Sequence, residues 1–112
     1  MIRIIAYIRP HRLEATKLAI ANLGANGLTV GDSRGRGHSE EYSKWSEGGV
    51  HLVAMPIKSR IEVVVPESLK ESVIEAILDQ GCTGEPGDGK IFVSEITDAL
   101  RIRTGERGPS AV

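Results

Sequence analysis

The sequence predicts an α+β fold, a four-stranded antiparallel sheet with two helices on one face in the ferredoxin-like order βαββαβ. Two observations lead there. Strand-like and helix-like patterns run strand, helix, strand twice along the chain, and each helix-like pattern ends at a glycine, Gly24 and Gly81. A chain of 112 residues with 40% apolar side chains also suffices for one core and not for two, so residues 1–112 are read as a single domain.

The elements follow in order. "MIRIIAYI" sets β-branched residues between Arg3 and Tyr7 and is closed by Pro10, which makes it the first strand. "RLEATKLAIANLG" spaces Leu13, Leu18, Ile20 and Leu23 as a helix does. "GLTVGDSRG" reads as a second strand that runs out at its glycines. From Gly35 to Pro56, a polar stretch with Gly37, His38, Tyr42, Trp45, Gly48 and Gly49 keeps neither a period of two nor one of 3.6. It is expected to be a long loop, mobile alone and ordered by ligands, because long connections in compact domains are functional or mobile. "KSRIEVVVP" is the clearest strand, and "ESLKESVIEAILDQG" places Leu69, Val73 and Ile77 on one helical face. After the glycine-rich "TGEPGDG", "KIFVSEI" forms the fourth strand, and the tail "TDALRIRTGERGPSAV" loses periodicity. Two helices cover one sheet face only. Apolar residues at nearly every position of "RIEVVV" and "MIRIIAYI" therefore predict a homo-oligomer that covers the other.

Composition excludes several classes. Acids and bases interleave to a formal charge of −1, which gives no field to favour nucleic acid or a membrane surface. No apolar run approaches the roughly 20 residues of a membrane span, and Arg3 interrupts the N-terminal one; a cytoplasmic protein without membrane insertion is expected. The single Cys82 rules out an internal disulfide framework and reads as a loop-end thiol, a reactive role being the alternative. His11, His38 and His51 are too dispersed to suggest a metal site.

Chemistry concentrates in "TGEPGDGKIFV", residues Thr83 to Val93. Gly84, Gly87 and Gly89 permit positive φ and close backbone approach, so successive N–H groups can face one anion, and Lys90 adds a point charge. The Walker pattern is not met: no Ser or Thr follows the lysine, and the loop opens a strand. A flexible turn between helix and strand is the competing reading. Arg101 and Arg103 alternate in "LRIRTG", which puts two guanidinium groups on one side of an extended segment. Such forks favour phosphate, and a solvated edge is the alternative.

"TGEPGDGKIFV" followed by "LRIRTGE" resembles the signature of the PII signal-transduction family, and the likeness extends to "GLTV", "KSRIEVVVP" and "GRGH", nearly the whole chain. The resemblance implies a trimer of ferredoxin-like subunits that binds adenine nucleotide (ADP, AMP or ATP) in clefts between neighbours. It also implies a T-loop over residues 35–57, a B-loop over 82–90 and a C-terminal segment over 98–112. Matched by position, Pro86, Gly87, Asp88, Gly89 and Lys90 would cradle the phosphates, and Arg101 and Arg103 would reach them across the subunit boundary. Thr29, Glu62 and Val64 match positions that hold adenine and ribose. Gly35, Arg36, Gly37 and Lys58 would border the phosphates at the base of the T-loop, with Lys58 beside an anionic second effector.

The T-loop departs from the family pattern G-x-G-R-Q-K-G-H. Here "GRGH", Gly35 to His38, lacks the Arg-Gln-Lys-Gly residues, and no Gln or Asn lies between Gly35 and Gly49. The glutamine that helps hold magnesium and 2-oxoglutarate in typical members is thus missing. Glu47 stands five residues after Tyr42, where typical members carry the tyrosine that is nucleotidylated, so that modification is impossible there. Tyr42 and Trp45 are read either as loop packing or as a partner contact. The departures resemble the carboxysome-associated PII-like branch, whose second ligand is bicarbonate. The resulting expectation is a non-enzymatic sensor of adenine nucleotide and bicarbonate that acts on a target protein in inorganic-carbon metabolism through its T-loop. A nitrogen regulator sensing 2-oxoglutarate, a weak ATPase built on Lys90 and a purely structural trimer are the rivals; no general base with an orienting partner stands near Asp88.

Overall fold

The fold, taken from a computed structural model, is described for residues 1–37, 43–45, 51–53 and 55–112. Four strands, β1 (Ile2–Ile8), β2 (Leu28–Arg34), β5 (Ile57–Val65) and β6 (Lys90–Glu95), form one antiparallel sheet in the order β2-β5-β1-β6. Helices α1 (Leu13–Asn22) and α2 (Lys70–Gly81) pack on one face. This is the ferredoxin-like βαββαβ arrangement.

Side-chain alternation along the strands explains the layers. In β1, Ile2, Ile4, Ala6 and Ile8 are buried toward the helices, as are Ile61, Val63 and Val65 of β5. Ile20 of α1 and Val73 and Ile77 of α2 close the core from above. Thr16, fully buried in α1, donates its hydroxyl hydrogen to the Arg12 carbonyl at 2.8 Å, so a polar side chain sits in the core without an unmade bond. Each helix is entered through a short 3-10 turn, Pro10–Arg12 before α1 and Glu67–Leu69 before α2.

Several expectations are corrected in detail. The second strand passes through Gly31 and ends at Arg34, immediately before Gly35, because pairing with β5 from Leu28↔Val63 to Arg34↔Ile57 holds it extended. Gly24 ends α1 with φ 85°, as a helix-terminating glycine should. Gly81 is the last residue of α2 and has no positive φ; its missing side chain leaves room for Ile8, whose Cγ2 would lie 3.4 Å from an added Cβ. Inside the expected long loop, β3 (Ser43–Trp45) and β4 (His51–Val53) pair as a two-stranded antiparallel ribbon. His38, Tyr42 and Glu47, on which the loop readings partly rest, lie outside the described residues.

The uncovered sheet face is also less apolar than the strand sequences suggested. Alternation sends Arg3, Tyr7, Lys58, Arg60 and Glu62 to that face beside Ile5, Val64 and Phe92. Glu62 accepts from Arg3 Nε at 2.7 Å and from Arg60 Nη2 at 2.6 Å, so a charged chain crosses the middle of the sheet. Both guanidinium groups hold the Glu62 carboxyl below its ordinary pKa, Arg3 most strongly.

Candidate functional site

The loop between α2 and β6 is built around one carboxylate. Asp88 accepts from the Thr83 backbone N–H at 2.8 Å, the Gly84 N–H at 3.0 Å, the Thr83 hydroxyl and Arg9 Nε at 3.0 Å. These donors hold its carboxyl far below the usual carboxylate range, the Thr83 hydroxyl contributing most. Arg9 also donates through Nη2 to the Pro86 carbonyl at 2.6 Å, and Lys58 Nζ donates to the Gly87 carbonyl. A side chain just after β1 and one from β5 thus tether a loop whose own sequence supplies the bends: Gly84, Gly87 and Gly89 have φ of 85°, 100° and 107°. Gly89 has a further reason to be glycine, since a Cβ there would overlap the Tyr7 carbonyl oxygen.

In front of this loop lies a cavity of about 530 Å³ lined by Gly35, Arg36, Gly37, Lys58, Gly87, Gly89 and Lys90 among others. Its charged lining residues among the described residues are Arg34, Arg36, Lys58 and Lys90, with no Asp or Glu beside them there. Four cations facing one space, with glycine backbone between them, suit a multiply charged anion. Tyr7 and Phe92 form an aromatic wall, edge to face with centroids 6.2 Å apart. The base of the long loop is closed where the Gly35 N–H donates to the Pro56 carbonyl at 3.2 Å.

Seven of the sequence-predicted residues therefore converge: Gly35, Arg36, Gly37, Lys58, Gly87, Gly89 and Lys90. Asp88 and Pro86 belong to the same loop but do not line the cavity; the Asp88 side chain is turned to Arg9 and Thr83. Thr29, Glu62 and Val64 line a separate cleft of about 290 Å³ with Ile96, Asp98 and Ala99. Lys58 and Glu62 are four residues apart on one face of β5, about 13 Å along the strand, which separates the two spaces.

Arg101 and Arg103 line neither cleft and are not on an extended segment. Leu100 bridges Arg107, the Arg101 N–H donates to the Glu106 carbonyl at 2.9 Å and the Gly105 N–H to the Arg101 carbonyl at 2.7 Å, so both arginines sit in a tight turn. Alternating Arg with Leu and Ile mimics a strand; Gly105, at φ 73°, lets the chain double back. Within the turn, Arg101 pairs with Glu106 at 2.9 Å. Sequence reasoning missed Arg9, Thr83, Tyr7 and Phe92. The topology could have found Arg9, because antiparallel pairing of β1 with β6, Tyr7↔Lys90, brings the residue after β1 beside the loop before β6.

The family model described as nitrogen regulatory protein P-II matches residues 1–106. The chain belongs to that family. Among curated proteins it is 41% identical to nitrogen regulatory protein P-II of Rhodospirillum rubrum over 112 residues, the whole of both chains. It is 40% identical to nitrogen regulatory protein P-II 2 of Methanothermobacter thermautotrophicus, across all of this chain and 97% of that one. The Haemophilus influenzae nitrogen regulatory protein P-II matches at 38%, again over the full length of both. P-II family membership thus rests on matches that run along nearly the whole chain.

Proposed function

We propose that the chain is a non-enzymatic, cytoplasmic P-II signalling protein. In this reading it works as a homotrimer that holds ADP, AMP or ATP in clefts shared by neighbouring subunits. A second small anion, bicarbonate, then sets how the T-loop engages a target protein in inorganic-carbon metabolism. The observation that carries this reading is the cavity where Arg34, Arg36, Lys58 and Lys90 meet Gly87 and Gly89, with no carboxylate among the described lining residues. Such a wall matches two or three phosphate groups. The separation of the Thr29, Glu62 and Val64 cleft from this cavity supports a site completed across a subunit boundary, one chain supplying phosphate contacts and its neighbour the base and ribose contacts.

Bicarbonate is favoured as second effector by the loop sequence. Without Gln or Asn between Gly35 and Gly49, magnesium and 2-oxoglutarate lose a ligand, while Arg36 and Lys58 line one cavity with glycine backbone, a donor set that favours a small planar anion. The names of the relatives favour a second reading, a nitrogen regulator responding to 2-oxoglutarate. Calorimetric ADP titrations at fixed pH and matched ionic strength, in chloride, in bicarbonate, and in 2-oxoglutarate with magnesium, separate the two. Bicarbonate is expected to tighten ADP by about 5–150-fold, the usual span of such coupling. A gain only with 2-oxoglutarate selects the nitrogen reading, and absence of ADP binding removes both.

A further inference from the structure

We propose that Arg9 is a positioning residue for anion binding: acting through Asp88, it holds the loop from Thr83 to Gly89 in the shape that presents Gly87 and Gly89 to the cavity. The inference rests on the nucleotide reading above for its ligand, and on geometry alone for the positioning. Arg9 follows β1 directly and lies behind the loop, outside the cavity lining, with only 18% of its side chain exposed. Its planar guanidinium reaches two points of the loop in different directions, Nε to Asp88 Oδ1 at 3.0 Å and Nη2 to the Pro86 carbonyl at 2.6 Å. Asp88 in turn gathers the Thr83 and Gly84 amides and the Thr83 hydroxyl, and that hydroxyl oxygen accepts from the Glu85 N–H at 3.2 Å. Every residue from Thr83 to Asp88 except Gly87 is therefore bonded within a network that ends on Arg9, and Gly87 is fixed by Lys58 from the other side.

The charge balance separates this role from phosphate contact. Arg9 and Asp88 neutralise each other, so the pair adds no net field to the cavity, whereas Arg36 and Lys90 face it directly. A loop with three residues at positive φ has many conformations open to it, and two fixed side chains narrow them before any ligand arrives. Lysine at position 9 would keep the charge but could not span both acceptors with one rigid fork.

The test compares Arg9→Ala, Arg9→Lys and Lys90→Ala with the parent by two readouts. Affinity for ADP and for adenosine, which lacks phosphate, is measured by calorimetry. Arg9→Ala is expected to weaken ADP about tenfold, in the range seen when groups that orient a ligand-binding residue are removed, and to leave adenosine unchanged; Arg9→Lys should recover only part of the loss. Equal weakening of ADP and adenosine, full recovery by lysine, or unchanged ADP affinity would each overturn the inference. Amide hydrogen exchange of the unliganded protein is the second readout: Arg9→Ala should speed exchange at Thr83 and Gly84 while Ile4 and Val63 in the sheet stay protected, and Lys90→Ala should alter neither. Unchanged protection at Thr83 and Gly84 refutes the positioning role even if the parent proves not to bind ADP, an outcome that by itself counts against the nucleotide reading and not against this one.

Discussion

Asp88 and Lys90 are separated by one glycine yet have different tasks. Lys90 lines the cavity and has no ion-pair partner among the described residues, so its charge is available to a ligand. Replacing it with Ala should cost ADP binding on the order of 1.5–3 kcal/mol, the scale of a hydrogen bond to a charged group, read as at least a tenfold rise in Kd. Asp88 should show its effect in folding. Its carboxyl pKa is depressed in the folded protein relative to about 3.9 unfolded, so the unfolded state binds the proton more readily. The stabilisation is complete above about pH 5 and is lost as pH falls below 4 toward the folded-state value. Asp88→Asn is thus expected to lower stability by about 1–3 kcal/mol at pH 7. The gap to the parent should narrow between pH 5 and pH 2 in urea titrations, and a gap independent of pH would assign the effect to something other than the charge.

At the scale of elements, the glycine-rich loop tests why each glycine is there. Gly84 and Gly89 both have positive φ, but only at Gly89 would a Cβ meet the Tyr7 carbonyl of β1. Gly84→Ala should therefore cost about 1–2 kcal/mol, the left-handed penalty alone. Gly89→Ala should cost clearly more, because the loop must lift off β1 where Tyr7 pairs with Lys90. Equal losses in chemical denaturation would mean that close approach to β1 does not constrain the loop. The positive-φ glycines were legible in "TGEPGDGK" because glycine has few other reasons to recur at such density. Their second constraint was not, since nothing in the loop's own sequence shows which strand passes beneath it. The C-terminal turn was misread for the opposite reason: "LRIR" carries a period of two, and only the cross-bonds of Arg101 with Gly105 and Glu106 reveal that the chain reverses.

For the whole molecule, one core lies between the helices and one sheet face, and the other face is open. Ile77, 1% exposed on the inner face of α2, should cost about 2–5 kcal/mol when cut to Ala, without altering ADP affinity if the parent binds it. The open face carries Ile5, Tyr7, Val64 and Phe92 around the Arg3, Glu62 and Arg60 chain, a mixed surface suited to a subunit interface with charged cross-links. Sedimentation at micromolar concentration is expected to give a trimer that survives moderate salt; a monomer would remove the shared cleft on which the nucleotide reading depends. Two separate clefts on one chain are what a site divided between subunits requires.

The sequence by itself determined the order of the four sheet strands and two helices, the helix-facing positions Val73 and Ile77, and the glycine-rich loop with its positive-φ positions. Those features depend on local periodicity, on glycine's conformational range and on spacing within a few residues, all written in consecutive positions. Only the tertiary structure decided that Arg9, 79 residues before Asp88 in the chain, holds the loop, that Lys58 caps Gly87, and that Arg101 and Arg103 stand in a turn away from both clefts. These contacts are set by strand pairing, and a sheet in the order β2-β5-β1-β6 brings together residues that sequence distance keeps apart.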